Sequence, residues 1–279
     1  MANTGLCRRR MFKGGFRVRG LALEGGGARG AYHIGVVKAL FENGYEFDGF
    51  VGTSIGAINA AILTQGDFEK ALELWTEISM DKVFDMDDQL LLQFTDIKNI
   101  KLDVDLPENV RKALAKVVYS GGINTNKIKR MITQYIHEDQ LRKSHKDFGL
   151  VTVSILELKP YELMIEDIPR NRLANYLMAS ASLPGLRRER FEGKSFLDGA
   201  YYDNCPYNLL RDRGYDEIIV VRTKAPGVFR KTDDNKSIKV ITASKGLGNI
   251  LLFTPENSAA NIALGYDDGL RFVAEMRGR

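Results

Sequence analysis

A serine between two glycines is the first residue of this sequence whose surroundings could make it reactive. Residues 52–56 read GTSIG, after a short apolar stretch and before a run rich in Ala and Ile. This is the G-x-S-x-G pattern at a predicted strand-to-helix junction, the setting that presents a nucleophilic hydroxyl. Side chains at Gly52 or Gly56 would crowd the turn, and we expect an exposed Ser54 hydroxyl at the amino end of a helix. The pattern is common, so an idle serine in a glycine-flanked turn is the alternative.

A glycine-rich stretch precedes this motif and could supply donors for an anion. Residues 25–30 read GGGARG and lie between a predicted strand at 18–24 and a predicted helix at 31–43. The stretch matches G-x-G-x-x-G, but a dinucleotide site needs an acid after the next strand, which here runs into residues 52–54. No Lys-Ser or Lys-Thr pair follows, so it is not a Walker A loop. Neighbouring parallel strands end at one edge of a sheet, and we expect the loop's N–H groups to meet Ser54 there and stabilise an oxyanion.

An acid that could serve as the base for Ser54 appears much later in the chain. Asp198 follows apolar residues and precedes Gly199, which fits a strand-end carboxylate turned into a cleft, although an ordinary Asp-Gly turn is the alternative. No histidine follows Asp198, so the order of an α/β-hydrolase triad cannot be completed with this acid. We expect His33 to be structural and His137 and His145 to lie on the surface. A carboxylate acting directly on Ser54 remains, ionised at neutral pH if its pKa is near the usual ~3.9.

Several further segments show the periodicity of regular structure. Apolar spacing predicts helices, with Trp75 in the core, and β-branched runs predict buried strands. The predicted helices are 67–80, 128–136, 173–182 and one opened by Thr254-Pro255, and the predicted strands are 150–156, 161–165 and 217–221. Residues 81–122 are irregular and fit either an apolar lid or a buried turn.

Composition restricts the class of protein. The 279 residues carry a net charge of +4, and no apolar run approaches the ~20 residues that cross a bilayer. Cys7 and Cys205 form neither a disulfide framework nor a metal cluster, which fits a reducing, cytoplasmic location, with peripheral contact at a membrane as an addition. Residues 1–20 hold six basic residues and no acid, a basic arm that is either a solvated tail or a patch for anionic lipid or nucleic acid. No linker or repeat divides the rest, so we expect a catalytic domain at 21–211 and a strand and helical extension at 212–279 packed on it.

Three motifs together resemble the signatures of patatin-like phospholipases, in that family's order and spacing. They are residues 25–30, residues 52–56 and Asp198-Gly199-Ala200, and residues 180–184 (SASLP) resemble the segment before the acid. The resemblance implies a three-layer α/β/α fold with a mostly parallel central sheet, a Ser–Asp dyad, no metal and no cofactor. Ser54 would be the nucleophile and Asp198 the proton acceptor. The oxyanion loop would consist of Gly25, Gly26, Gly27, Ala28, Arg29 and Gly30, with Gly52, Gly56, Gly199 and Ala200 as supporting motif residues. Residues 187–190 (RRER) depart from a stretch that is often apolar in the family.

The resemblance implies a lipid acyl hydrolase of the phospholipase A or esterase type, working through an acyl-enzyme. Its substrate would be a lipid or acyl ester, with an anionic membrane surface as a further contact and no nucleic acid. An esterase or thioesterase for soluble acyl substrates shares the dyad and is a second hypothesis. A nucleotide-binding module that uses the glycine loop is a third, from another functional class.

Overall fold

The computed structural model of the chain describes residues 17–85, 121–183, 185–187, 189–231 and 238–278. Most of the predicted basic arm, most of the candidate lid at 81–122, Pro184 and Arg188 lie outside these ranges. Arg19, the last basic residue of the predicted arm, opens the first strand and pairs with the Glu217 carboxylate at 2.7 Å.

The described chain contains both helices and strands, with five helices in succession between the second and the third strand. The strands are β1 (Arg19–Leu23), β2 (Gly49–Thr53), β3 (Asp147–Ser154), β4 (Lys159–Met164), β5 (Arg190–Phe191), β6 (Lys194–Asp198), β7 (Glu217–Arg222) and β8 (Ile238–Thr242). The helices are α1 (Ala31–Glu42), α2 (Ile55–Thr64), α3 (Phe68–Glu77), α4 (Met80–Val83), α5 (Asn126–Tyr135), α6 (Glu138–Lys143), α7 (Leu173–Ser180), α8 (Asn208–Arg211) and α9 (Pro255–Arg277). Each predicted segment is present, with ends that shift by a few residues. The predicted helix at 67–80 ends at Glu77, because Ile78 is already extended.

The strands form one mixed sheet in which β3, β2, β1, β7 and β8 run parallel in that order. Leu21 and Leu23 of β1 face a large core under α1, α2, α3, α7 and α9, whereas Ala22 faces a smaller core. Residues 203–215, with the short α8, cover that second face and contribute Tyr207 and Leu210. Three layers with a mostly parallel central sheet are therefore present, and the expected fold class is confirmed.

Strand β3 brings two distant parts of the chain to one edge. It pairs with antiparallel β4 along one side from Gly149 to Ser154. Its other side pairs with β2 as far as Val151 and with antiparallel β6 from Thr152 onward. The ends of β2 and β6 therefore meet at consecutive residues of β3.

The chain beyond residue 211 is built into this sheet. Strand β7 lies between β1 and β8, and α9 packs along α1. The two helices approach closely because glycines face the contact: a Cβ on Gly35 would overlap the carbonyl of Ile262, and one on Gly265 would overlap that of Tyr32. The domain limits at 20 and 211 stay predictions.

The start of α9 confirms the predicted cap. The Thr254 side chain accepts the Asn257 N–H at 3.2 Å, and Pro255 occupies the first helical turn, where its missing N–H costs nothing. Among the helices of the described ranges, none combines the length and apolar character required to cross a bilayer.

Candidate active site

The turn between β2 and α2 holds Ser54 in a strained conformation. Ser54 has φ 57° and ψ −126°, an unfavourable region for a residue with a side chain. The neighbouring glycines make this turn possible: a Cβ on Gly52 would overlap the backbone of Gly56, and one on Gly56 would overlap the Leu23 carbonyl of β1. The expected crowding is thus present. The residue as a whole is only 5% exposed.

Ser54 is covered because two other segments pack against it. Its N–H donates to the Ser180 hydroxyl at 2.9 Å, and that hydroxyl donates to the Val151 carbonyl at 2.7 Å. Ser180 is the last residue of α7, so this bridge joins α7 to both β2 and β3. Ser54 is therefore almost buried as a residue, whereas the exposure expected for its hydroxyl stays a prediction.

Strand β3 brings Asp198 to Ser54. Thr53 pairs with Val151 and Asp198 pairs with Thr152, so the last residues of β2 and β6 lie next to each other. The next residue, Gly199, is also close to β2, since a Cβ on Gly199 would lie 2.8 Å from the Thr53 methyl group.

The Asp198 carboxylate is fully buried and only half satisfied. Oδ1 accepts the Ala200 N–H at 2.8 Å, whereas Oδ2 has no hydrogen-bond partner among the described residues. The Ser54 hydroxyl lies close enough to lower the pKa of Asp198 somewhat, although the two atoms do not meet the geometry of a formed hydrogen bond. Such contacts often tighten only when substrate is bound.

Burial raises the pKa of Asp198 to about 7, and the Ala200 N–H and the Ser54 hydroxyl oppose the shift. The sequence-based expectation of a carboxylate with an ordinary pKa is therefore wrong. Removing the carboxylate from water disfavours its charged form more than the two donors favour it. A pKa near neutrality lets one group accept a proton and later return it.

Residues 180–182 fix both members of the pair. Besides the Ser180 bridge, the Ser182 carbonyl accepts the Asp198 N–H at 3.0 Å. In the sequence this segment is only part of the family resemblance, and no pattern predicts a role for it. A small hydroxyl residue at a helix end is usually a cap, and nothing in the sequence connects it to residue 54.

The glycine loop lies directly beside the Ser54 turn. A Cβ on Gly25 would come within 3.3 Å of the Thr53 carbonyl, and one on Gly30 within 2.7 Å of the Ile55 side chain. Three of the loop's N–H groups already have acceptors: Gly25 donates to Asn204 O at 2.9 Å, Ala28 to Ile250 O at 2.8 Å and Arg29 to Gly26 O at 3.1 Å. Within the described chain, the N–H groups of Gly26 and Gly27 have none. These two residues have φ of 150° and 55°, values that glycine adopts most readily.

The Arg29 side chain holds the loop rather than offering a free charge. Its guanidinium donates to the carbonyls of Gly248, Thr223 and Lys224. Glu24 is buried just before the loop, and its carboxylate accepts a hydrogen bond from the Arg222 guanidinium. The loop is therefore clamped to the segments that follow β7 and β8.

Asp203 and Asn204 also help to position the site, although no sequence pattern predicts a role for them. The Thr53 hydroxyl donates to the Asp203 carbonyl at 2.7 Å, and the Asn204 carbonyl accepts the Gly25 N–H. The segment after Asp198 thus contacts both the nucleophile strand and the glycine loop. Only the closeness of these residues to Asp198 could have drawn attention to them.

The three histidines lie where the sequence predicts. His33 is fully buried in α1, and burial lowers its pKa to about 3. His137 and His145 are exposed. In the described ranges, no group of three or more His, Cys, Asp and Glu side chains could hold a metal ion. The expected absence of a metal and of a cofactor stays a prediction.

Comparisons with known proteins show the family and the fold of this chain. A family model described as patatin-like phospholipase matches residues 21–211. Lysophospholipase nte1 of Aspergillus fumigatus is 29% identical over 206 residues, which are 74% of this chain and 12% of that protein. Neuropathy target esterase sws of Drosophila melanogaster is 28% identical over 214 residues, covering 72% of this chain and 12% of that protein. This chain thus matches only a small part of the length of these curated relatives.

A solved structure shows the same fold. The crystal structure of VipD from Legionella pneumophila superimposes with a TM-score of 0.58 over 93% of this chain and 67% of that one. The two sequences are 16% identical, so the likeness concerns the fold alone.

Proposed function

The chain belongs to the patatin-like phospholipase family, and from this membership we propose that it hydrolyses carboxylic esters of lipids, with Ser54 as nucleophile and Asp198 as proton acceptor. The observation that carries the proposal is the buried Asp198 carboxylate, whose Oδ2 lacks a partner among the described residues and whose pKa, raised by burial, is partly lowered again by the nearby Ser54 hydroxyl. A free acceptor next to a strained serine is what direct activation by a carboxylate requires.

The first step is acyl transfer to the enzyme. Asp198 takes the hydroxyl proton as Ser54 Oγ attacks the ester carbonyl, and a tetrahedral oxyanion forms. The alcohol part of the lipid then leaves with that proton. In the second step a water molecule gives its proton to Asp198 and cleaves the acyl-enzyme, which releases the fatty acid and regenerates Ser54. The raised pKa of Asp198 suits a group that must accept and return a proton in each step.

The oxyanion is held, in this proposal, by the N–H groups of Gly26 and Gly27. They are the loop amides for which the described chain supplies no acceptor, whereas Gly25, Ala28 and Arg29 use theirs to fix the loop. Losing one such donor typically lowers the rate about 100- to 1,000-fold. Of the six residues 25–30 that were expected to form the oxyanion loop, two would thus donate to the oxyanion and four would shape the loop.

The substrate class follows from the relatives. Two of them carry the names lysophospholipase and neuropathy target esterase, and we assign this chain an ester bond of a phospholipid or lysophospholipid. We also propose a peripheral position at membranes that contain anionic lipid. The basic residues at the start of the chain support it, since each one near such a surface contributes about 1 kcal/mol.

The assignment is tested with Ser54→Ala. This variant should lose labelling by a fluorophosphonate probe and all hydrolysis of a panel of phospholipids and lysophospholipids, because only the attacking hydroxyl is removed. Ser144→Ala is the matched control, since that hydroxyl has local partners at the end of α6: it donates to Leu141 O and accepts the Lys146 N–H. Labelling that persists in Ser54→Ala at the level of the control would show that another residue is the nucleophile.

A further inference from the structure

Exposed apolar side chains collect around the edge of the sheet that holds Ser54. Of seven strongly exposed large apolar residues in the described chain, two lie elsewhere, Val240 on β8 and Leu270 on α9. The other five lie in segments joined to the ends of β3, β6, β7 and β8 at this edge: Leu156, Leu158, Tyr201, Val228 and Leu252.

Backbone contacts connect the segments of the last three of these residues to the site. Tyr201 ends the short turn that follows Asp198. Val228 donates its N–H to the Ala200 carbonyl of the same turn at 2.9 Å. Leu252 lies two residues after Ile250, whose carbonyl accepts an N–H of the glycine loop. The segments that carry these three residues therefore adjoin the Asp198 turn and the glycine loop.

The most prominent pair is at the turn between β3 and β4, residues 155–158, which we call the tip. Leu156 is 73% exposed and Leu158 is 87% exposed. Leu158 also has φ 51°, a left-handed conformation that in such hairpins favours glycine or asparagine. Both the exposure and the backbone are unfavourable for leucine in water, so stability of the fold does not account for this residue.

The tip projects on the same side as Ser54. Asp198 is level with Thr152, and β3 continues to Ser154, so the tip begins three residues beyond, about 10 Å past the level of Asp198 at ~3.3 Å per residue. The tip is also firmly supported at its base. The Glu157 carboxylate accepts the Tyr161 hydroxyl at 2.6 Å and pairs with Lys194 at 2.9 Å and with Lys159 at 3.0 Å.

This arrangement combines two apolar side chains at the end with a net positive base of two lysines and one glutamate. It suits the surface of a lipid bilayer, where apolar groups enter below the headgroups and lysine side chains reach back to them. It does not suit a protein partner, because a stable interface takes about 800 Å² from each side, far more than a four-residue turn presents.

We propose that the tip inserts Leu156 and Leu158 into a lipid surface and thereby docks the Ser54 edge of the sheet against it. The proposal rests on the proposed function, because a lipid surface is where that substrate would lie. It differs from attraction by the basic arm, since apolar insertion takes place on neutral lipid and withstands salt, whereas charge attraction requires anionic lipid and is screened.

The test measures binding separately from catalysis. In full-length Ser54→Ala protein, sedimentation with neutral phosphatidylcholine vesicles is compared between the parent, Leu156→Ser/Leu158→Ser and the matched control Val240→Ser/Leu270→Ser. We expect the tip variant to bind about tenfold more weakly or worse, at low and high salt alike, and the control to bind as the parent does. Leu158→Trp adds a second measurement, because the single native tryptophan, Trp75, is buried. Its fluorescence should be quenched by brominated lipid, whereas that of Val240→Trp should not.

Measurements of hydrolysis then distinguish a failure of the tip proposal from a failure of the proposed function. In the active protein, the tip substitutions should lower hydrolysis of vesicle-borne phospholipid about tenfold and leave a short monomeric ester unaffected. A parent that hydrolyses no ester would refute the proposed function, while the binding measurement would still decide on the tip. Equal binding of parent and tip variant, no binding by the parent, or a change of self-association in place of a change in vesicle binding would each overturn the tip proposal.

Discussion

Two buried aspartates, five residues apart, look almost alike and differ in what they face. Asp198 and Asp203 are both fully buried, and burial raises the pKa of each to about 7. In both, Oδ1 accepts a backbone N–H two residues on, from Ala200 at 2.8 Å and from Cys205 at 3.1 Å. In both, Oδ2 has no partner among the described residues.

Their neighbours separate them. Asp198 ends β6, where that strand meets the end of β2, and the Ser54 hydroxyl acts on its pKa. Asp203 is influenced instead by the charges of Arg230 and Glu162, and its link to the nucleophile strand runs through its backbone carbonyl. Burial and a raised pKa therefore do not identify a catalytic carboxylate by themselves. The catalytic carboxylate is identified by the reacting group beside it, here the Ser54 hydroxyl.

The largest expected difference is in turnover. Asp198→Asn keeps the shape of the side chain and removes the proton acceptor, so kcat should fall about a thousandfold or more. Asp203→Asn should change kcat by less than about tenfold, because only its carbonyl and packing reach the site. Steady-state kinetics on one lysophospholipid checks both, with circular dichroism to compare folding. An active Asp198→Asn protein, or an Asp203→Asn protein as slow as Ser54→Ala, would reverse the assignment.

The pH profile gives the next largest effect. Asp198 must be ionised to accept the proton, so kcat/KM should rise about tenfold per pH unit below its pKa and level off above about 7. Asp203→Asn should keep this inflection. An inflection that moves to pH 4, or disappears in Asp203→Asn, would contradict the assignment of Asp198 as the base.

Stability, by contrast, should not distinguish the two aspartates. Each has a folded pKa near 7 and an ordinary value near 3.8, so the folded state binds the proton more tightly than the unfolded state. The free energy of unfolding therefore falls as pH rises between about 4 and 7, and the loss persists above that window. Either Asn substitution should reduce this loss, as measured by urea unfolding at pH 5 and pH 8. A difference between them in turnover but not in stability would sharpen the comparison.

A smaller effect should come from Ser180, whose hydroxyl accepts the Ser54 N–H. Ser180→Ala removes the acceptor of the Ser54 N–H and the link to Val151, so kcat should fall about tenfold with little change in KM. Ser182→Ala is the matched control, because its hydroxyl bonds only to Met178 O while its carbonyl holds Asp198. Equal kcat in the two variants would show that the Ser180 bridge does not position the nucleophile.

The motifs that the sequence identifies are those with local causes. Gly52 is required by a turn within five residues, and Thr254-Pro255 caps the helix that it starts, so both are visible in the sequence. The meeting of Ser54 with Asp198 is different. It depends on β3 changing its partner from β2 to β6 between Val151 and Thr152, a pairing that no local pattern encodes.

Burial is likewise set by distant segments, which no local sequence pattern shows. Ser54 is covered by α7, which follows it by more than a hundred residues, and the pKa of Asp198 depends on everything packed around it. The use of the loop amides could not be foreseen either, since Asn204 and Ile250 supply two of the acceptors. The sequence therefore indicates which residues belong to the site more readily than how each is used.

The smallest effect is expected from the histidines, and it separates a carboxylate base from an imidazole base. A general base contributes about 100- to 10,000-fold to rate, so replacing an uninvolved histidine by Gln should leave most of the turnover. His137→Gln and His145→Gln alter exposed side chains and should match the parent. His33→Gln is expected to lose a few-fold, because the neutral imidazole contacts the Asn59 amide at 3.2 Å and that amide also donates to the Gly30 carbonyl of the glycine loop. A folded His137→Gln or His145→Gln protein with kcat as low as that of Ser54→Ala would make an imidazole the base and leave Asp198 with the same structural role as Asp203.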